Sequence, residues 1–285
     1  MSITRDPELV PLDRAELIEL SGAEALAFAH AQFASDVASL GVSFWQWSAW
    51  LTAQGRVRSV FALLRVADDR LLLWLPLGGA EPFRDALARF VLRAKVRIAL
   101  PEGWALCSLD EEPGIDAGSR AIVDRQGGHA FAQPGPQKRI AWLGPASIEP
   151  RNPAALAAWR LADIAAGLPW IDTTTRDEFV PQALGLERIE AVRFDKGCYP
   201  GQEIAARLHF RGGTKQSLYR LILRGAEYES AGAAIVAAGA RVGTVLYGAP
   251  RSQGMHEALA VLADGARDAQ LHSAHGHVVE RIESV

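Results

Sequence analysis

Residues 195–203 read DKGCYPGQE, so a cysteine, a lysine, two glycines and a glutamate crowd together in a chain that holds only two cysteines. A thiol becomes a nucleophile or a metal ligand through its thiolate, which a nearby cation and a helix amino terminus both favour. Lys196 supplies the cation, and the run GQEIAARLHF predicts a helix beginning near Gly201. Gly197 and Gly201 let backbone approach a ligand closely, and Pro200 suits entry into the helix. The competing reading makes Cys198 a small apolar filler, the commonest fate of a free cysteine. Lysine usage favours the functional reading. Of 30 basic residues only Lys95, Lys138, Lys196 and Lys215 are lysines, two of them close to the thiol; a chain that otherwise uses arginine keeps lysine where a compact point charge is needed. A cysteine protease or transferase needs a histidine base. His209 is expected on the same helix and away from the thiol, which argues against that chemistry.

Other side chains invite weaker readings. Cys107 sits inside the apolar strand WALCSL and is expected in the core. Phe44, Trp45, Trp47 and Trp50 could stack on a flat ring, but alternating aromatics on a strand are more often core. Trp159 lies in an alanine-rich helix that could border a cavity. Arg56, Arg58, Arg84, Arg89, Arg93, Lys95 and Arg97 form either a basic rim for an anionic tail or RNA, or a solvated surface.

The elements that must position these residues follow from hydrophobic period and turn chemistry. LSGAEALAFAHAQFASDVASL predicts a helix opened by a Ser21/Glu24 capping box, with Leu26, Phe33, Val37 and Leu40 on one face. SFWQWSAWL, RVRSVFALLRVA and RLLLWLP predict an antiparallel sheet with turns at Gln54-Gly55 and Asp68-Asp69. AEPFRDALARFVLRA predicts a second helix through Phe83, Leu87, Phe90 and Val91, followed by the short strands VRIAL, WALCSL and RIAWLG. Residues 111–138 read as loops with one weak strand. NPAALAAWRLADIAAGLPWI predicts a third helix ending near Gly167. Beyond residue 216 short apolar strands between glycine-rich turns suggest a small β-barrel or sandwich. Irregular alternation of helix and strand favours α+β over a doubly wound sheet.

With 285 residues, 49% of them hydrophobic, the chain can bury a substantial core, and a formal charge of −3 provides no bulk field for nucleic acid or anionic membrane. Direct nucleic-acid binding is therefore not expected. The amino terminus lacks the apolar core of a signal peptide, and no run approaches the ~20 apolar residues of a membrane span, so a cytoplasmic location is expected. Two cysteines support neither a disulfide framework nor a four-thiolate iron–sulfur site.

The motif KGCYPGQE resembles the K-G-C-Y-x-G-Q-E hallmark of the YgfZ family of folate-binding proteins, matching every fixed position. The resemblance runs from SGAEALAFAHAQFASDV, with its Asp36-Val37 pair, through AGLPWID and FVPQALGL to RLHFRGGTKQSL. It implies kinship with the T-protein of glycine cleavage, an aminomethyltransferase, and hence an α+β fold of three subdomains around a central folate-sized hole. The implied organisation is a folate-binding module of two interleaved α+β subdomains over residues 1–215 and a carboxyl-terminal β-barrel over residues 216–285. It also implies tetrahydrofolate as cofactor with no stably bound metal, and folate, iron–sulfur client enzymes or assembly proteins as partners, with tRNA modification downstream.

By the same resemblance Cys198 and Lys196 would be the reactive pair, and Trp159, Tyr199, Gln202 and Asp36 would contact the cofactor. Gly197, Gly201, Glu203 and Arg207 would support the motif. Three positions depart from relatives. Arg58 and Ser59 stand where the T-protein has a catalytic aspartate. Ala165 replaces a glutamate that would pair with the pterin edge, and Lys215-Gln216 replaces a Lys-Arg pair. Two alternatives stay open, a folate-dependent aminomethyl transferase and a non-catalytic binding module that has lost folate.

Overall fold

A computed structural model describes residues 8–147, 152–225 and 227–285. Residues 1–7, which begin the stretch read for a leader, lie outside them. The chain starts with β1 (Val10–Arg14) and β2 (Leu17–Ser21), then α1 (Ala25–Gln32), β3 (Phe44–Leu51), β4 (Val57–Ala67) and β5 (Arg70–Trp74). It continues through α2 (Ala80–Ala88), β6 (Arg97–Ala99), β7 (Trp104–Leu109), β8 (Ile122–Arg125), β9 (Gly128–Gln133), β10 (Arg139–Pro145), α3 (Pro153–Ala165) and α4 (Gln202–Arg211). The rest is β11 (Gln216–Arg224), β12 (Ala234–Ala237), β13 (Ala240–Pro250), β14 (Met255–Ala263), β15 (His272–Ser273) and β16 (Val278–Ser284).

Two five-stranded sheets share the first part of the chain, with strand orders β1-β7-β10-β9-β8 and β3-β4-β5-β2-β6. The chain therefore enters one sheet with β1, builds the other from β2 to β6, and returns with β7. Their edges meet. Phe44 on β3 bridges Ala121 just before β8, and the Trp45 amide donates to the Arg120 carbonyl at 2.9 Å. The carboxyl-terminal strands close on themselves as a six-stranded barrel, β11-β14-β13-β12-β15-β16, which removes every free edge.

Alternation on β3 sends Trp45, Trp47, Ala49 and Leu51 into one core and Trp50 into another. In the first, Trp45, Trp47, Trp170, Trp74 and Phe131 form a closed circuit of contacts with centroid separations of 4.7, 5.0, 6.3, 6.1 and 5.2 Å. These edge and tilted geometries are the favourable ones, each worth about 0.5–1.5 kcal/mol beyond area burial. The same core takes in Leu218, Leu246, Tyr247, Leu259 and Val261 of the barrel. The Tyr247 hydroxyl donates to the Leu168 carbonyl at 2.7 Å.

Four local expectations are corrected. The Ser21/Glu24 capping box does not form, because pairing with Arg70 and Arg97 claims Ser21 for β2. Glu24 occupies the N-cap instead, and its carboxylate accepts the Lys95 amide at 2.6 Å. That helix ends at Gln32, so Phe33, Val37 and Leu40 are buried from the segment beyond it. Residues 111–138 hold two strands rather than one, joined by Gln126 and Gly127 at φ 48° and 76°, the left-handed pair a tight hairpin turn requires. The second helix stops at Ala88, which leaves Phe90 exposed rather than on its buried face. Among the described residues no helix is long and apolar enough to cross a membrane.

Candidate functional site

The KGCYPGQE segment is a clamp between α1, the β3–β4 turn and α4. Gly201 is the N-cap of α4 at φ 78°. A Cβ there would run into the Thr52 carbonyl oxygen and lie 2.9 Å from the Gly55 Cα, so only glycine fits both the conformation and the space. A Cβ at Gly197 would meet nothing closer than His30 Nε2 at 3.5 Å, an ordinary contact. The first glycine is thus not forced by crowding.

Lys196 reaches the carboxyl-terminal end of α1, where its Nζ donates to the carbonyls of His30, Phe33 and Ser35 at 2.5, 2.6 and 2.9 Å. Three acceptors match the three protons of an ammonium. The His30 carbonyl is among those that α1 leaves without an intrahelical partner at its end. Burial pushes the amine down to about 8, opposed by the Asp36 carboxylate. The predicted support of the Cys198 thiolate is therefore not a direct hydrogen bond, since the ammonium is committed to α1. Nζ also sits 5.1 Å from the Tyr199 ring centroid.

Cys198 is exposed, three residues ahead of the α4 N-cap. Cys107 is buried on β7, and burial pushes its thiol up to about 11. Tyr199 is buried and donates to the Arg193 carbonyl at 3.0 Å; burial, reinforced by Glu187, raises the pKa of its phenol. Gln202 donates to the Lys196 carbonyl at 3.4 Å. Tyr199 and Gln202 thus brace the motif rather than line a cavity beside it. Glu203 and Arg207 are exposed on α4, Glu203 in the first turn where a carboxylate favours the helix dipole. His209 is held by Glu187 at 2.8 Å and stacks on Phe194.

Next to the clamp, where the two sheets meet edge to edge, lies a cavity of about 340 Å³. Trp45, Gln46 and Trp47 of β3 line it together with Asp36, Arg120 and Arg193. Arg120 lies over the Trp45 ring at 4.5 Å, and burial lowers the pKa of its guanidinium against the pull of Glu190. The Asp36 loop is tied to the motif through His30, whose Nδ1 accepts the Ala38 amide at 3.1 Å. An Nδ1 that accepts belongs to a neutral imidazole, and burial followed by the Lys196 charge lowers the His30 pKa, with Asp36 opposing.

The residues expected around the cofactor do not share one cavity. Asp36 lines the space just described, whereas Trp159 and Ala165 line another of about 530 Å³ with Lys138, Arg139 and Arg220. One face of Trp159 is occupied by the Arg139 guanidinium at 4.5 Å. Asp163 cannot stand in for the acid missing at Ala165. It is buried, paired with Arg139 at 2.5 Å and bonded by the Trp170 indole at 3.2 Å. Where the resemblance led to an expected aspartate, Arg58 pairs with Asp177 at 3.3 Å and Ser59 is buried. Of the basic residues read as a rim, Arg56 bonds the Glu178 carbonyl and Arg84 pairs with Glu81 and Asp85. Sequence reasoning missed Arg120 and Arg193 as cavity residues, because no local pattern marks a contact between chain segments about seventy residues apart.

Comparison with known proteins places these features in context. No family model matches the chain. A protein named tRNA-modifying protein YgfZ from Vibrio vulnificus is 30% identical over 232 residues, covering 75% of this chain and 70% of that protein. Its namesake from Colwellia psychrerythraea is 29% identical over 248 residues, covering 77% and 74%. Among solved structures, the glycine cleavage system aminomethyltransferase T of Bartonella henselae aligns with a TM-score of 0.67 at 15% identity, over 95% of this chain and 83% of that one. At that identity the likeness speaks for the fold alone.

Proposed function

Because the chain belongs to the YgfZ family, we propose that it binds tetrahydrofolate in the cavity beside the KGCYPGQE clamp and, through Cys198, supports iron–sulfur enzymes on which tRNA modification depends. The observation that carries this reading is that the motif holds the cavity walls. Lys196 anchors the end of α1 that leads into Asp36, and Tyr199 anchors Arg193. The cavity's chemistry suits the pteridine end of a folate. Indole faces and edges offer a flat apolar wall, Asp36 and the Gln46 side chain offer hydrogen-bond partners to ring nitrogens, and Arg120 and Arg193 offer cations to a glutamate tail. Cys198 stands exposed on the same clamp, so ligand occupancy and thiol presentation share one set of contacts. Turnover as an aminomethyltransferase is not part of the reading, since Arg58 and Ser59 provide no carboxylate where that chemistry needs one.

The test is a tetrahydrofolate titration followed by quenching of tryptophan fluorescence. Asp36→Ala removes a charged hydrogen-bonding partner, and a loss of roughly 1.5–3 kcal/mol, on the order of ten- to a hundredfold in affinity, is expected. Cys198→Ser should bind folate as the parent does yet fail to restore iron–sulfur enzyme activity in cells lacking the native protein. Unchanged affinity in Asp36→Ala, together with a gain in Ala165→Glu, would move the ligand to the Trp159 cavity and overturn this assignment.

A further inference from the structure

Four of the seven histidines fall between residues 256 and 277, in the barrel and remote in sequence from the motif. Three chain segments bring two of them together with a carboxylate. Glu229 comes from the connection between β11 and β12, His256 from the start of β14, and His277 from the turn between β15 and β16. One donor atom from each of Glu229, His256 and His277 lies within 4.8 Å of the other two. His277 Nδ1 is 2.6 Å from a Glu229 oxygen, and His275 Nδ1 is 2.7 Å from the other. Glu229 and His256 are 0% and 1% exposed.

We propose that Glu229, His256 and His277 form a binding site for one divalent transition-metal ion, Zn²⁺ fitting the donor set best, with His275 closing the shell. His256 carries the strongest indication. Both of its ring nitrogens are buried without a hydrogen-bond partner among the described residues. A neutral imidazole has one donor and one acceptor, and buried polar atoms of this kind are nearly always satisfied. A metal ion takes up the acceptor lone pair and draws the second ligand set inward. Imidazole with a carboxylate selects zinc or a similar ion over magnesium or calcium, which prefer all-oxygen shells. Bonds of about 2.0–2.2 Å from a central ion put tetrahedral donors roughly 3.3–3.6 Å apart, within reach of the observed spacing by small side-chain rotations.

The supporting contacts are those a metal site needs. The His277 ring lies against Gly225, where a Cβ would come within 2.6 Å of its Nε2, so a glycine is required for the imidazole to enter. The Ser273 hydroxyl accepts the His277 amide at 3.1 Å and fixes the turn. Glu229 also borders a cavity of about 500 Å³ between α3 and the barrel. This site is independent of the folate reading.

The full-length chain, stripped with a chelator and titrated with Zn²⁺ by calorimetry, should take up one equivalent. Co²⁺ substitution should give visible d–d bands of a four-coordinate site without a thiolate charge-transfer band. His277→Ala and Glu229→Gln, checked for folding by circular dichroism, should each weaken Zn²⁺ by at least about tenfold, since even loss of a residue that merely orients a ligand does so. His272→Ala should bind as the parent does. Absence of saturable Zn²⁺ binding, undiminished binding in His277→Ala, or a thiolate band marking Cys198 as the ligand would each overturn the proposal. The Co²⁺ spectrum of the unaltered chain decides the matter even where a variant does not fold.

Discussion

At Cys198 the thiol is open to solvent just ahead of α4, whereas at Cys107 it is sealed within β7 and burial pushes it up to about 11. Reaction requires thiolate and access together. Iodoacetamide should therefore label Cys198 in the native chain while Cys107 stays unmodified until the protein is unfolded, as peptide mass mapping would read; equal labelling of both would contradict the burial of β7. His30 gives a second expectation. Its neutral ring accepts the Ala38 amide, and the groups facing it are Lys196 and Asp36. The folded pKa is lowered, so between the unfolded value of about 6.5 and the lower folded value the unfolded chain binds more protons. The stability contributed by His30 is thus complete above about pH 6.5 and is lost as pH falls through the folded value. His30→Asn keeps an acceptor but does not titrate, and should flatten the acid limb of a stability–pH profile measured by urea unfolding. An unaltered limb would place the proton uptake elsewhere.

Among the elements, α4 shows best how a local signal and a distant contact cooperate. Its start was readable because Pro200-Gly201 is turn chemistry followed by helix formers, but the reason for the glycine lies in the β3–β4 turn it touches. Gly201→Ala forces a left-handed backbone, a strain of order 1–3 kcal/mol, and adds a clash with the Thr52 carbonyl. The urea midpoint should drop accordingly, and labelling of Cys198 should change because the segment carrying it must shift; a variant with unchanged midpoint and labelling would show that the clamp is not tight. The same division explains what could be read beforehand. Strands β3, β4 and β5 were evident from alternation and two turns, and α3 from Asn152, Pro153 and Gly167. Ser21 was misread because the capping pattern is local while β2 gains two neighbours from distant sequence. Tyr199 and Gln202 belong to a motif whose spacing says nothing about which way each side chain points. Glu229, His256 and His277 stayed invisible because their spacing of 27 and 21 residues matches no ligand motif, although His275 and His277 flanking a glycine were a usable hint.

For the molecule as a whole, the decisive feature is that one core crosses from the paired sheets into the barrel. Leu218, Leu246, Tyr247, Leu259 and Val261 of the barrel belong to the same buried cluster as Trp47, Trp74 and Trp170, and Tyr247 is hydrogen-bonded to Leu168 beyond α3. Polar ties reinforce this, with Arg241 and Thr244 on Glu178 at 3.1 and 2.9 Å. A barrel stable on its own would unfold separately, while a barrel that depends on shared burial unfolds with the rest. The distribution of tryptophan makes the difference measurable. All eight indoles lie between Trp45 and Trp170, so fluorescence reports the sheets and α3, whereas far-ultraviolet circular dichroism reports the barrel strands as well. The two probes should give coincident urea transitions. Tyr247→Phe, which removes one buried hydrogen bond, should lower both midpoints together by about 0.5–1.5 kcal/mol of stability. A dichroism transition that splits, or a Tyr247→Phe variant in which dichroism shifts and fluorescence does not, would show that residues beyond 216 form a separate folding unit and that the common core contributes little to holding the two parts together.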